Sequence, residues 1–117
     1  MKKTVSLKEN HLFRRIYQKG KTAADGRLAL YVRRSGGRKN RLGLTVSTKV
    51  GCAVVRNRIR RRLREIYRLH EDQMAEGMDV VVVARARAAF SSYGQLERSF
   101  LALAGKLGLL KKEEGTR

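Results

Sequence analysis

The sequence predicts an α/β (α+β) two-layer sandwich, a small mixed sheet of about four strands with three helices, in one domain spanning residues 1–117. Three observations lead there. Residues 27–34 and 41–47 alternate apolar and polar positions, as half-buried strands do. Val80, Val81, Val82 and Val83 form an unbroken β-branched run, which suits a central strand covered on both faces. Between them, residues 50–70 repeat apolar side chains at helical spacing, giving a strand–helix–strand unit with parallel strands.

The elements follow in chain order. Residues 1–6 are basic and are expected to be mobile, as is the polar end 111–117. Ser6-Leu7-Lys8-Glu9 reads as a capping box and Asn10 as a competing N-cap. A first helix then runs to about Lys19 and stops at Gly20. Leu12, Phe13, Ile16 and Tyr17 share one side of it. Leu12 and Ile16 read as core, while Phe13 and Tyr17 divide evenly between core and base stacking, because they border a basic face. Residues 21–25 form a short strand before a turn at Asp25-Gly26. In residues 27–34, Leu28, Leu30 and Val32 point one way and Ala29, Tyr31 and Arg33 the other. Residues 35–40 are a polar, glycine-containing loop and the best hairpin candidate. In residues 41–47, Leu42, Leu44 and Val46 point inward; Gly43, Thr45 and Ser47 leave a face bare of bulk, either a groove floor or an ordinary solvated surface.

The helix of residues 50–70 carries seven arginines within residues 56–68, interrupted by a single acid, Glu65. Val55, Ile59, Leu63, Ile66 and Tyr67 fall on one stripe and should anchor it to the sheet. Asn57, Arg60, Arg61, Arg64 and Arg68 fall on one flank, with Arg58 and Arg62 behind. Like charge at this density is costly unless a polyanion neutralises it, so the flank reads as a nucleic-acid contact. Residues 78–84 supply the next strand. Ser92-Tyr93-Gly94-Gln95 reads as a capping box for a last helix, whose stripe of Leu96, Phe100, Leu103, Leu107 and Leu110 reads as core.

Composition sets the function class. The chain holds 28 Lys+Arg against 10 Asp+Glu, a formal net charge of +18. RNA, DNA or another anionic surface is the expected partner. Cys52 is the sole cysteine, so no intrachain disulfide is possible and a reducing cytoplasm fits. No apolar run approaches the roughly 20 residues that span a bilayer, and the N-terminus lacks the apolar region of a signal peptide. Neither a membrane partner nor an obligate protein partner is expected. His11 and His70 lie on different helices, the acids are scattered, and no phosphate-loop or dinucleotide fingerprint occurs. No catalytic residue and no dedicated protein-bound metal is expected. A basic structural RNA-binding protein, such as a ribosomal one, shares these features. A stand-alone basic nuclease is the other rival, and it would depend on His70 or Glu71.

The stretch from Ser47 to Arg64, with Gly51-Cys52-Ala53-Val54 before Arg56-Asn57-Arg58 and basic Arg60-Arg61 after Ile59, closely resembles the signature of the bacterial ribonuclease P protein component. Leu7-Lys8 with Phe13, Tyr17 and Gly20, then Leu30-Tyr31-Val32, and the layout of residues 79–107 extend the resemblance over nearly the whole chain. It implies a protein subunit that binds a large catalytic RNA, the ribonuclease P RNA, and assists removal of the 5′ leader from precursor tRNA. The Mg²⁺ that performs the hydrolysis would be bound mainly by that RNA. It implies that Arg56, Asn57, Arg58, Arg60, Arg61 and Arg64 contact the catalytic RNA or lie near its active centre, with Arg68 on the same flank. It implies a leader-binding cleft of Phe13, Tyr17 and Tyr31, with Arg33 and Lys49 nearby. It also implies a fold like the second domain of ribosomal protein S5 with a left-handed βαβ crossover, whereas general chirality favours the right-handed form.

Overall fold

The computed structural model describes residues 4–110. Five strands form one sheet: β1 (Thr4–Ser6), β2 (Lys21–Ala24), β3 (Leu28–Arg34), β4 (Asn40–Val46) and β5 (Met78–Ala84), in the spatial order β1-β4-β5-β3-β2. Three helices accompany it, α1 (Asn10–Lys19), α2 (Ala53–His70) and α3 (Tyr93–Lys106). Short 3-10 turns, Glu71–Gln73 and Ala86–Phe90, flank β5.

β5 occupies the centre, as its valines require. Val80, Val81 and Val82 are all at most 1 % exposed. β4 runs parallel to β5, with Leu42 opposite Val80 and Leu44 opposite Val82. β3 runs antiparallel on the other side, with Leu30 opposite Val82. The strand–helix–strand unit β4-α2-β5 is therefore present with parallel strands.

The alternation in each strand separates two apolar clusters. Leu28, Leu30, Val32, Leu42, Val46, Val80 and Val82 meet Ile59, Leu63, Ile66 and Tyr67 of α2 and Leu96, Phe100 and Leu103 of α3. On the opposite face, Val81 meets Leu7 and Ile16, with Leu12, Phe13, Tyr31 and Val83 beside them. Thus α2 and α3 form one layer and α1 covers part of the other face.

Three sequence expectations are corrected. Residues 35–40 do not close a hairpin: β5 lies between β3 and β4. The loop must therefore cross two strand spacings, roughly 10 Å. It does so against Gly77, whose carbonyl accepts from the Ser35 amide at 2.8 Å. Gly77 has φ +71, and a side chain there would strike the Gly37 carbonyl oxygen.

Second, residues 4–6 are a fifth strand and not a mobile end. β1 pairs parallel to β4, and the Thr4 hydroxyl shares a 3.0 Å hydrogen bond with the Tyr67 hydroxyl. Asn40 Nδ2 donates to the same Tyr67 oxygen at 3.2 Å and to the Ala75 carbonyl at 2.9 Å, while its Oδ1 accepts the Met78 amide. This buried network ties β1, β4, α2 and β5 together. The other residues expected to be mobile, 1–3 and 111–117, lie outside the described residues, as does the remainder of that expectation.

Third, the Ser6–Glu9 capping box does not form. Ser6 is recruited into β1, and α1 begins at Asn10 after Glu9, without a side-chain cap. The second expected box is intact: Ser92 Oγ accepts the Gln95 amide at 3.1 Å and Gln95 Oε1 accepts the Ser92 amide at 2.9 Å. The last helix ends at Lys106, so Leu107 and Leu110 lie beyond it while still packing on the core.

Candidate nucleic-acid interface

The arginine ridge stands where the stripe places it. Ile59, Leu63, Ile66 and Tyr67 are buried against the sheet, and Asn57, Arg61, Arg64 and Arg68 are exposed. Arg56, Arg58 and Arg60 are half-buried. Among the described residues only one of the seven guanidinium groups has a carboxylate partner: Arg68 grips Glu65 with Nε at 2.7 Å and Nη2 at 2.8 Å. That contact lowers the Glu65 carboxyl from its ordinary pKa and raises Arg68. Arg60 is oriented by the Asn57 side chain (3.0 Å) and the Val46 carbonyl (3.4 Å). Among the described residues no other carboxylate pairs with the ridge.

The helix adds to that positive field. Its first turn holds no acid, and its N-cap, Cys52, makes no side-chain cap. The free amides at an α-helix N-terminus carry roughly half a positive charge. They lower the Cys52 thiol, chiefly through the Val55 amide, and Arg56 lowers it further. A bare helix N-terminus beside arginines is suited to phosphate.

On the opposite face, three aromatics come together. Tyr17 and Tyr31 meet edge to face with ring centroids 4.8 Å apart, and Phe13 lies 6.3 Å from Tyr17. The bare face of β4 makes this possible. A Cβ at Gly43 would sit 2.6 Å from Phe13 Cζ, so only glycine lets the ring lie on the strand. The Tyr17 hydroxyl and the Thr45 hydroxyl share a 3.4 Å hydrogen bond. Phe13 and Tyr17, with Asn10, Arg14 and Thr45, line an open groove of about 560 Å³. The sequence marks Asn10 only as an N-cap and gives Arg14 no role, although residues 10, 13, 14 and 17 share one helical face.

Arg33 and Lys49 are not brought into this groove. Arg33 follows Tyr31 by two residues on the same strand face, but it lines a separate cavity of about 350 Å³ with Lys19, Lys21 and Arg34. Lys49 is exposed in the turn between β4 and α2.

The ridge and the groove both border β4. β1 covers β4 only as far as Leu42. Beyond it, Arg60 and Arg64 line a cavity of about 210 Å³ with Ser6, Leu7, Lys8, Leu42 and Leu44. Leu7 in turn belongs to the cluster under α1. One strand therefore carries aromatics on one side and guanidinium groups on the other.

An ion pair absent from the sequence reading braces this end. Asp79, 2 % exposed, takes Nε and Nη2 of Arg41 at 2.6 and 2.8 Å. Its carboxylate raises the Arg41 pKa through that hydrogen bond. The partners are 38 residues apart, and no local pattern links them.

The two residues on which the nuclease rival depends are both engaged in the fold. Glu71 is buried, 8 % exposed, and His70 is held by Glu97 Oε2 at 2.9 Å and Gln73 Oε1 at 3.2 Å. Among the described residues no three His, Cys, Asp or Glu side chains cluster as a metal site requires, and no helix is long and apolar enough to cross a membrane.

The family model described as Ribonuclease P matches residues 1–108. The chain belongs to the ribonuclease P protein family. The ribonuclease P protein component of Natranaerobius thermophilus is 40 % identical over 112 residues, covering 96 % of this chain and 97 % of that protein. That of Clostridium kluyveri is 42 % identical over 107 residues, covering 90 % and 96 %. The solved RNase P protein of Staphylococcus aureus superposes with a TM-score of 0.84 at 31 % identity, over 91 % of this chain and 97 % of that one. The Thermotoga maritima protein gives 0.76 at 27 % identity, over 83 % and 92 %. The chain is thus the protein subunit of an endoribonuclease, ribonuclease P, and its partnership is with the ribonuclease P RNA. The mixed sheet with three helices is the fold of that family.

Proposed function

We propose that the chain grips the catalytic RNA with its guanidinium ridge and holds the 5′ leader of precursor tRNA in the aromatic groove. Arg56, Asn57, Arg58, Arg60, Arg61, Arg64 and Arg68 are the RNA-facing set. Phe13, Tyr17 and Tyr31 receive leader bases, Arg14 and Thr45 complete the groove, and Arg33 and Lys49 meet leader phosphates farther along. The observation that carries this reading is the β4 edge, where the two surfaces adjoin. A strand lying on the aromatics is thereby placed beside RNA held on the arginines.

The division of labour follows from the side chains. Arginines neutralise phosphates and position them, and aromatics stack on unpaired bases without choosing among them. A leader of arbitrary sequence needs recognition of that kind. Among the described residues the two surfaces are made chiefly of arginines, aromatics and hydroxyls, with no cluster of metal-ligating side chains. Bond breaking is assigned to Mg²⁺ held by the RNA, and the proposed site of action is the cytoplasm.

The test is affinity. The protein is reconstituted with the catalytic RNA, and binding is measured for precursor tRNA and for mature tRNA. The precursor should bind at least tenfold more tightly, and the RNA alone should show less preference. Equal preference with and without the protein would refute leader binding.

A further inference from the structure

The turn after β5 holds a large apolar side chain in solvent: Phe90, at the end of the 3-10 turn Ala86–Phe90, is 90 % exposed. A solitary exposed apolar residue needs no explanation by itself. This one is presented on an ordered turn whose next residue, Ser91, is held by two arginines. Ala88 is buried beneath it, the Ser91 amide donates to the Ala88 carbonyl at 3.2 Å, and the Ser91 hydroxyl donates to the Arg87 carbonyl at 2.7 Å.

Four arginines lie along this turn and the Asp25–Gly26 turn: Arg85 and Arg87 from its own segment, Arg27 from the strand entry and Arg62 from α2. Arg27 Nε donates to Ser91 Oγ at 3.1 Å, Arg62 Nη1 to the Ser91 carbonyl at 3.3 Å, and Arg85 Nη1 to the Asp25 carbonyl at 3.0 Å. The Arg87 side chain lies over Gly26, its Nη1 3.0 Å from where a Cβ would stand. None of the four forms a salt bridge among the described residues. The nearby acid, Asp25, uses Oδ1 to accept the Arg27 and Leu28 amides at 2.8 and 2.9 Å. The guanidinium groups are thus oriented by neutral oxygens, with charge and N–H donors to spare.

An exposed aromatic ring next to arginine-held Ser91 matches an unstacked RNA base with its flanking phosphates. An apolar protein surface would instead have to desolvate four cations. We infer that Phe90, with Arg27, Arg62, Arg85 and Arg87, is a second contact for the catalytic RNA: an unpaired nucleotide stacks on Phe90 while the arginines take the adjoining phosphates. Arg62 belongs to α2, so this patch continues the back of the ridge, whereas the aromatic groove lies across the sheet under α1. The inference rests on the reading that the ridge binds the catalytic RNA.

The experiment is equilibrium binding of the full chain to the catalytic RNA over a series of salt concentrations. The wild type, Phe90→Ala, Phe90→Trp and Arg87→Ala are compared. Phe90→Ala should weaken binding about tenfold without changing the salt slope, and Phe90→Trp should restore it. Arg87→Ala should weaken binding and reduce the slope by about 1. Melting temperature serves as the folding control and should not move for Phe90→Ala. Phe90→Ala binding within twofold of the wild type, or a tryptophan variant that fails to restore binding, would overturn the inference. Failure of the wild type itself to bind the catalytic RNA would instead overturn the reading beneath it.

Discussion

Replacing Tyr31 by alanine removes the ring that backs Tyr17 beside the proposed leader groove, and the structure sets the size of the effect. A base stacked on an aromatic side chain contributes about 1–3 kcal/mol. One flank of the Tyr31 ring is already taken by Tyr17, at 4.8 Å and 79°, so the lower half of that range applies. About 1.4 kcal/mol corresponds to a tenfold loss in affinity. The same substitution removes an edge-to-face pair worth roughly 0.5–1.5 kcal/mol and uncovers part of Val81. The variant is therefore less stable, and binding must be read well below its melting transition. The assay is the dissociation constant of the reconstituted complex for precursor and for mature tRNA. Tyr31→Ala should weaken precursor binding about tenfold and leave mature tRNA unchanged, while Tyr31→Phe should match the wild type for both. An equal loss on the two RNAs, or a precursor affinity within twofold of the wild type, would refute the placement of the leader on Tyr31.

Other outcomes follow from the same geometry. Arg60→Ala combined with Arg64→Ala should weaken binding to the catalytic RNA and lower the slope of log affinity against log salt by nearly 2, read by titration at several salt concentrations; an unchanged slope would mean that neither residue meets phosphate. Tyr67→Phe removes the hydroxyl shared by Thr4 and Asn40, which should cost about 1–2 kcal/mol and lower the melting temperature by roughly 5–10 °C. Thermal denaturation showing no change would indicate that this network is not holding β1. The Cys52 thiol, lowered by the Val55 amide and by Arg56, should alkylate with a pH midpoint below that of a small free thiol, and bound catalytic RNA should slow the reaction. A midpoint at or above the free-thiol value would contradict the positive field assigned to this helix end.

What the sequence disclosed depended on how local the determining interactions are. The four valines and the strand alternation forced β3, β4 and β5, because burial on one or both faces is written into consecutive residues. The Ser92–Gln95 box was legible because both of its hydrogen bonds close within four residues. The Ser6–Glu9 box had the same signature and failed, because pairing of Ser6 with Leu42 competes for the same segment and lies 36 positions away. The loop of residues 35–40 read as a hairpin because composition marks a turn without saying which strand will occupy the space between its arms. β1, with Val5 as its one large apolar residue, left no periodic trace. Its place is set by Thr4 meeting Tyr67 across 63 residues.

The candidate site divides in the same way. The ridge was legible from charge and helical spacing on a single element. The groove needed Phe13, Tyr17, Tyr31 and Gly43 from three elements, and the residue types suggested it only as one of two readings. Arg33 and Lys49 were grouped with the aromatics by resemblance, and the folded chain sets them apart from the ring cluster. Arg14 escaped notice because a basic residue on a basic helix carries no distinguishing mark. Asp79 and Arg41 escaped because nothing in either neighbourhood names the other.

The central claim is that this chain grips RNA and leaves the cutting to it. Cleavage of precursor tRNA at physiological salt tests it most directly, with the catalytic RNA alone, the protein alone, and the two together. The protein alone should release no 5′ leader, the RNA alone should release it slowly, and the two together should release it markedly faster. Release of the leader by the purified protein without RNA, or no rise on adding it, would contradict the account.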